Sequence, residues 1–166
     1  MMLNPDFSNP LTPWDEADIP AITAFVLSQG SPVRVGAADA AERVMSVLKA
    51  ALAPDSPRIV VILRDEAGEL EGVAICEGYN ANKNFDVTDL VFRPDRIQVE
   101  VEGRLMDAIE EAALRRCNFP RGSGATNGTV ALLTAKRNLF SKDGYKQLRA
   151  RDFISGRGSL SKLIFW

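Results

Sequence analysis

The chain has 166 residues, of which 46% are hydrophobic and 25% charged, and its formal net charge is −2. That length and composition describe one domain, residues 1–166, with enough apolar material for a core that needs no metal or disulfide, and the acidic balance excludes a general nucleic-acid binder, which needs a basic surface. Histidine is absent, which removes Ser-His, Cys-His and His-metal chemistry together and leaves proton transfer to Asp, Glu, Tyr, Cys, Lys or water.

Met1 to Pro13 is rich in Asn, Pro and Ser and has room for one short strand. Met1 to Asn9 holds no basic residue and no apolar run, so it does not read as a secretion signal. A helix starts near Asp15, where Asp15 and Asp18 suit the positive end of the helix dipole and Pro20 falls early enough to be tolerated. Ile19, Ile22, Phe25 and Val26 form its apolar face, and Gly30-Ser31-Pro32 ends it. A second helix spans about Ala38 to Ala53, with Val44, Val47, Leu48 and Ala51 at helical spacing and Pro54 as its stop. Arg58 to Leu63 and Leu70 to Tyr79 form a hairpin around the polar turn Asp65 to Gly68. Phe85 to Phe92 is a third strand. A long helix follows from about Gln98 to Arg116, with Val101, Leu105, Ala108, Ile109 and Ala112 on one face. After the glycine-rich loop Asn118 to Gly128, Thr129 to Leu133 is a short buried strand. A brief helix, about Ala135 to Lys142, leads into Gly144-Tyr145, and two strands close the chain near Lys146 to Ile154 and Ser159 to Phe165. No run is long and apolar enough to span a membrane. The two cysteines, Cys76 and Cys117, form no CxxC pair and read as reduced, buried side chains of a cytoplasmic protein.

The order β, α, α, β, β, β, α, β, α, β, β is that of a mixed α/β (α+β) domain with one parallel crossover. Three stretches carry a family likeness. Thr88-Asp89-Leu90-Val91-Phe92-Arg93-Pro94 looks like the fourth strand of the GNAT N-acetyltransferases running into its proline-bearing turn. Gln98 to Met106 is similar to the family's acyl-CoA loop, (Q/R)xxGx(G/A), followed by a helix. Leu139-Phe140-Ser141-Lys142-Asp143-Gly144-Tyr145 resembles its closing LYxKxGF segment. The resemblance covers nearly the whole chain and implies the GNAT fold: a central sheet of about seven strands flanked by about four helices.

The resemblance also implies a site. Acetyl-CoA would lie where two parallel strands part, with Phe92, Arg93, Gln98, Val101, Gly103, Arg104 and Phe140 against it. Backbone N–H groups near Phe92 and Arg93 would hold the oxyanion, and Asp89 would be the general base. Glycines in such a loop let a diphosphate approach the free N–H groups of a helix start. Val101 stands where the family has its first glycine, Glu100 and Glu102 lie beside the diphosphate position, Phe140 replaces a tyrosine and Leu133 an asparagine. Glu77 and Tyr79 are candidates for a substrate cleft, Ser141 and Tyr145 for a proton donor, and the loop Gly30 to Ala37, with Arg34, for a lid.

Two functions stay open at this point. One is an acyl-CoA-dependent N-acetyltransferase acting on a small-molecule or peptide amine by direct transfer. The other is a GNAT-fold protein without catalysis that serves as a binding or assembly module, pairing as a homodimer or with another protein through the apolar C-terminal strand that ends in Trp166.

Overall fold

The computed structural model describes residues 12–29, 37–53, 56–79, 84–93, 95, 98–116 and 131–164. Its helices are α1 (Ile19–Ser28), α2 (Ala37–Ala51), α3 (Gln98–Arg116) and α4 (Lys142–Arg149), and its strands β1 (Arg58–Arg64), β2 (Leu70–Tyr79), β3 (Asn84–Phe92), β4 (Ala131–Lys136), β5 (Ile154–Ser155) and β6 (Ser159–Ile164). Among the described residues the strands form one six-stranded sheet in the order β1-β2-β3-β4-β6-β5. The further strand expected within Met1–Pro13 and the loop expected at Asn118–Gly128 fall on residues outside those described, apart from the chain at 12–13.

Helix starts follow their caps. Asp15 and Asp18 form a reciprocal capping box, each side chain accepting a backbone N–H of the other end of a 3₁₀ turn, and Pro20 sits at the start of α1. At the far end of α2 the guanidinium of Arg116, reaching from the last turn of α3, donates to the carbonyls of Ala51 and Ala53, at 3.4 and 3.3 Å, and to that of Ser56. A cation there suits the negative pole of α2 and ties the two helices together across the edge of the sheet.

Strand alternation builds two cores. Ile59, Val61, Leu63, Ala74, Cys76, Phe85 and Val87 face α3 and α4, where they meet Leu105, Ala108, Ile109 and Leu148. Val60, Ile62, Val73 and Ile75 face the other way and meet Ile22, Val26, Val44 and Leu48 of α1 and α2. Gly72 lets α3 approach closely, because a β-carbon there would lie 3.1 Å from both Val101 Cγ1 and Leu105 Cδ1. Trp14 joins the second core and donates its indole N–H to the Val60 carbonyl at 3.0 Å, on the edge of β1 that no other described strand covers.

The chain after residue 131 departs from the sequence expectation. The helix expected at Ala135–Lys142 is the end of β4 followed by a 3₁₀ turn, Arg137–Leu139, and the strand expected from Lys146 is α4. The reason is a helix start at Ser141: its hydroxyl accepts the Gly144 N–H at 3.0 Å, Asp143 stands in the first turn and Arg149 in the last. Of the expected strand only its last residue, Ile154, lies in a strand, the two-residue β5, after a left-handed residue at Asp152 (φ 72°). β6 therefore lies between β4, which it pairs along its length, and β5, which it meets at two positions.

Candidate active site

The site begins with an extra residue. Ile75 of β2 pairs with Asp89 of β3, while the next residue, Cys76, pairs with Val87. Thr88 is therefore bulged out of the ladder. On the other side β3 pairs in parallel with β4 only from Asn84 to Val87, against Leu132 to Ala135. Beyond Val87 the pairing stops, one residue before β4 ends at Lys136, and β3 runs on to Phe92 bonded to β2 alone among the described strands.

The direction of the freed backbone groups follows from one bond. The Arg93 N–H donates to Glu71 O of β2 at 3.0 Å. Alternation along the strand then turns the Phe92 and Leu90 N–H groups away from β2, to the open side. Of the two residues expected to hold an oxyanion, Phe92 has the right direction and Arg93 has its N–H already engaged.

Asp89 is buried, at 8% exposure. It lies on the α1/α2 face of the sheet, on the floor of a cavity of about 330 Å³ lined by Arg43, Val44, Ser46 and Val47 of α2, Arg58, Ile75 and Thr88. The Thr88 hydroxyl lies 3.1 Å from Asp89 Oδ2 and 3.3 Å from the Ile75 carbonyl, and donates to one or the other. Above the floor Arg58 forms an ion pair with Glu77 at 3.7 Å. Arg43 makes no ion pair with any other described residue. The arrangement places a carboxylate beside the parted strands with two guanidiniums at the mouth.

The start of α3 is arranged differently from what the motif implies. Val101 is buried against Gly72, and Gly103 faces α4, where an added β-carbon would meet the Gln147 amide oxygen at 3.0 Å. Glu102 turns inward and is fully buried. Its Oε1 accepts the Ser141 N–H at 2.7 Å and the Gln98 side-chain amide at 3.2 Å, and its Oε2 accepts the Ser141 hydroxyl at 2.8 Å. It thus joins the first turn of α3 to the start of α4 and leaves Glu100 as the exposed acid of that turn. Arg104 reaches the buried Glu71 at 3.0 Å, and Arg93 bridges Asp65 and Asp95 at 3.0 and 2.7 Å. Phe140 and Tyr145 pack on the α3 core. Leu133, in the asparagine position, is buried mid-strand opposite Phe85.

Burial pushes the Cys76 thiol far up, beyond any role as a thiolate at neutral pH. Burial also raises Asp86, with Lys136 opposing it. A hydrogen bond from Ser155 lowers Tyr145, whose ring lies 4.2 Å beneath the Arg137 guanidinium. Tyr79 is exposed, and its hydroxyl is raised by partial desolvation and the nearby acids Glu77 and Asp86. Among the described residues no cluster of His, Cys, Asp or Glu could hold a metal ion. The loop expected to form a lid lies outside the described residues except for Ala37, the first residue of α2, and Cys117 and Trp166 lie outside them too.

The sequence singled out Asp89, which lines this cavity, and gave no notice of Arg43, Arg58 or the bulge at Thr88 beside it. The bulge had a signal: apolar residues alternate at Phe85 and Val87, then resume at Leu90, one step out of phase. Arg43 had none, because it flanks the apolar face of α2 like any solvent-facing helix charge.

No family model matches the chain, and no curated protein does. Solved structures do. An aminoglycoside 6′-acetyltransferase type Ii superposes with a TM-score of 0.61 at 14% identity over 93% of this chain and 95% of that one. The ribosomal-protein-S18-alanine N-acetyltransferase from Escherichia coli gives 0.58 at 11% identity over 93% of each chain. A GNAT superfamily phosphinothricin acetyltransferase from Sinorhizobium meliloti, in complex with acetyl-CoA, gives 0.56 at 14% over 93% of this chain and 87% of that one. The sheet, the crossover and the parted strands therefore make up the GNAT fold.

Proposed function

We propose that this protein is an acyl-CoA-dependent N-acyltransferase that moves an acetyl group from acetyl-CoA directly to an amine. The observation that carries the reading is the parting of β3 from β4 at the Thr88 bulge, beside the buried Asp89. An extended thioester arm fits an opening between parallel strands, and the Phe92 and Leu90 N–H groups turned into that opening suit a developing oxyanion. The inward turn of Glu102 supports the same reading, since it takes one carboxylate away from the place a diphosphate would occupy.

Bound acetyl-CoA supplies an activated acyl carbon and a thiol leaving group. The chain supplies the rest. The exposed first turn of α3 at Gln98 would meet the diphosphate end, with Arg93 and Arg104 turning to it from their acids, while the buried Val101 and Gly103 support that turn from within and Phe92 would flank the arm. Asp89, directly or through one water, accepts the proton of the attacking amine. Phe140 has no proton to give, so the thiolate leaves unassisted and is protonated by solvent, which a thiol of pKa about 8.5 permits.

The test is thermal unfolding with CoA and acetyl-CoA. A ligand at about a hundred times its dissociation constant adds about 2.7 kcal/mol, or roughly 5–11 °C in a chain of this size. No shift at millimolar cofactor would overturn the reading. A shift without thiol release across an amine panel would replace it with the non-catalytic binding module.

A further inference from the structure

We infer that the acceptor is a small amine that carries its own carboxylate, an α-amino acid with an aliphatic side chain, held across the cavity between α2 and β3. The inference rests on the acyltransferase reading for its chemistry but on the cavity walls for its content.

Three kinds of wall meet there. Asp89 lies buried on the floor and suits an ammonium group. Val44 and Ile75, at 1% and 3% exposure, with Val47 beside them, make an apolar side. Arg43 and Arg58 stand at the mouth. A plain amine needs only the first wall and is repelled by the third. A ligand carboxylate is what two guanidiniums recognise, by paired charge-assisted hydrogen bonds. Arg43 has no ion pair with any other described residue, and Arg58 holds Glu77 only at 3.7 Å, with both side chains about a third exposed. Such a pair contributes little and exchanges partners readily. Glu77 and Asp86 lie on the same strand row as Arg58, next to the cavity, and neither lines it.

Size narrows the class. A volume of about 330 Å³ is at the low end of the ~300–1,000 Å³ typical of small-molecule sites. It suits one compact molecule rather than an oligosaccharide or a folded protein surface. With the ammonium at Asp89 and the carboxylate at Arg43, the aliphatic side chain falls on Val44, Val47 and Ile75. In the reaction the ammonium loses one proton to Asp89, the free nitrogen bonds to the acyl carbon, its second proton passes to water as the carbon–sulfur bond breaks, and the thiolate leaves to be protonated by solvent. The products are an N-acyl amino acid and the free thiol.

The experiment compares leucine, leucinamide and cadaverine with the full-length protein. Thiol release from acetyl-CoA gives kcat/KM, and calorimetry with each amine alone gives binding without turnover. Leucine should exceed leucinamide by about 10–100-fold in kcat/KM, the range for a hydrogen bond to a charged group. In Arg43→Gln that ratio should fall to within about threefold, mainly through KM. Equal use of leucine and leucinamide, or preference for cadaverine, overturns the inference and leaves the acyltransferase standing. Selective leucine binding with no thiol release from any amine overturns acyl transfer and leaves the amino-acid site standing. Leucine that neither binds nor reacts overturns the inference outright.

Discussion

Gly144 gives the sharpest test of how the two halves of the site are joined. A β-carbon on this residue would lie 1.9 Å from Glu102 Oε2 and 2.7 Å from its Cδ. Neither distance is tolerable, so Gly144→Ala must displace the Glu102 carboxylate. A flexible acid at the surface would move away at little cost. Glu102 is fully buried and is held by Ser141 N–H, Ser141 Oγ–H and the Gln98 amide. Moving it sacrifices hydrogen bonds to a charged group, each worth about 1.5–3 kcal/mol, although part of this is regained where the carboxylate finds new partners. The expected loss is about 2–4 kcal/mol, which in a chain of this length lowers Tm by roughly 4–16 °C. Urea unfolding of Gly144→Ala, Glu102→Ala and the double variant forms the cycle. Glu102→Ala alone also destabilises, because Ser141 loses its partner. In the double variant the clash is gone, so the combined loss should be smaller than the sum by at least about 1 kcal/mol, as residues in contact behave. Strict additivity, or a Gly144→Ala protein as stable as the parent, would refute the argument that Glu102 is pinned.

Other consequences are simpler to state. Asp89→Asn should lower kcat/KM about 10²–10⁴-fold, the usual worth of a general base, and abolish the acidic limb of the pH–rate profile while CoA affinity stays put; unchanged turnover removes Asp89 from the mechanism. Asp86 has a raised carboxyl pKa, first through burial. Folding therefore retains a proton that the unfolded chain has released, and stability falls as pH rises from the ordinary carboxylate value, about 3.9, through the raised one. Asp86→Asn removes that loss, so its urea midpoint should gain on the parent's between pH 4 and 7; a constant difference contradicts the sign. The Cys76 thiol, buried and pushed up, should resist iodoacetamide at pH 8 in the folded protein and react on unfolding, as peptide mass mapping would show.

How much of this was visible beforehand depends on whether local pattern or long-range contact decides. Ile19, Ile22 and Val26 repeat at helical spacing and are buried as the spacing implies. The β1–β2 hairpin follows from its turn residues, and Gly68 adopts the left-handed conformation (φ 83°) the turn requires. The C-terminal third is where the reading went astray. Ser141 caps a helix through Gly144, a local signal that was present, but the apolar residues Leu148 and Phe153 also tolerate an extended reading. Glu102 could not have been assigned from sequence at all. An acid in a first helical turn normally points to solvent and complements the dipole; here a chain segment almost forty positions later, at Ser141, decides its direction. Family likeness singles out Asp89, whereas Arg43 and Arg58 come to line the same cavity only through the folded juxtaposition of α2 with β1.

Thr88 carries a meaning beyond the gap it opens. A strand counts in twos, and one inserted residue changes the parity of everything after it. Before the bulge the odd-numbered residues of β3, Phe85 and Val87, belong to the α3 core; after it the even-numbered Leu90 does, and odd-numbered Val91 has crossed to the α1/α2 core. Asp89 faces the cavity beneath α2 only because the count was shifted once. Deleting Thr88 would carry that carboxylate into the apolar layer under α3 and send Leu90 out among the arginines, with no residue's chemistry altered. The position of this carboxylate is therefore stored as a number of residues rather than as their identity, and single-residue insertions or deletions in β3 should harm this protein far more than substitutions at the same sites.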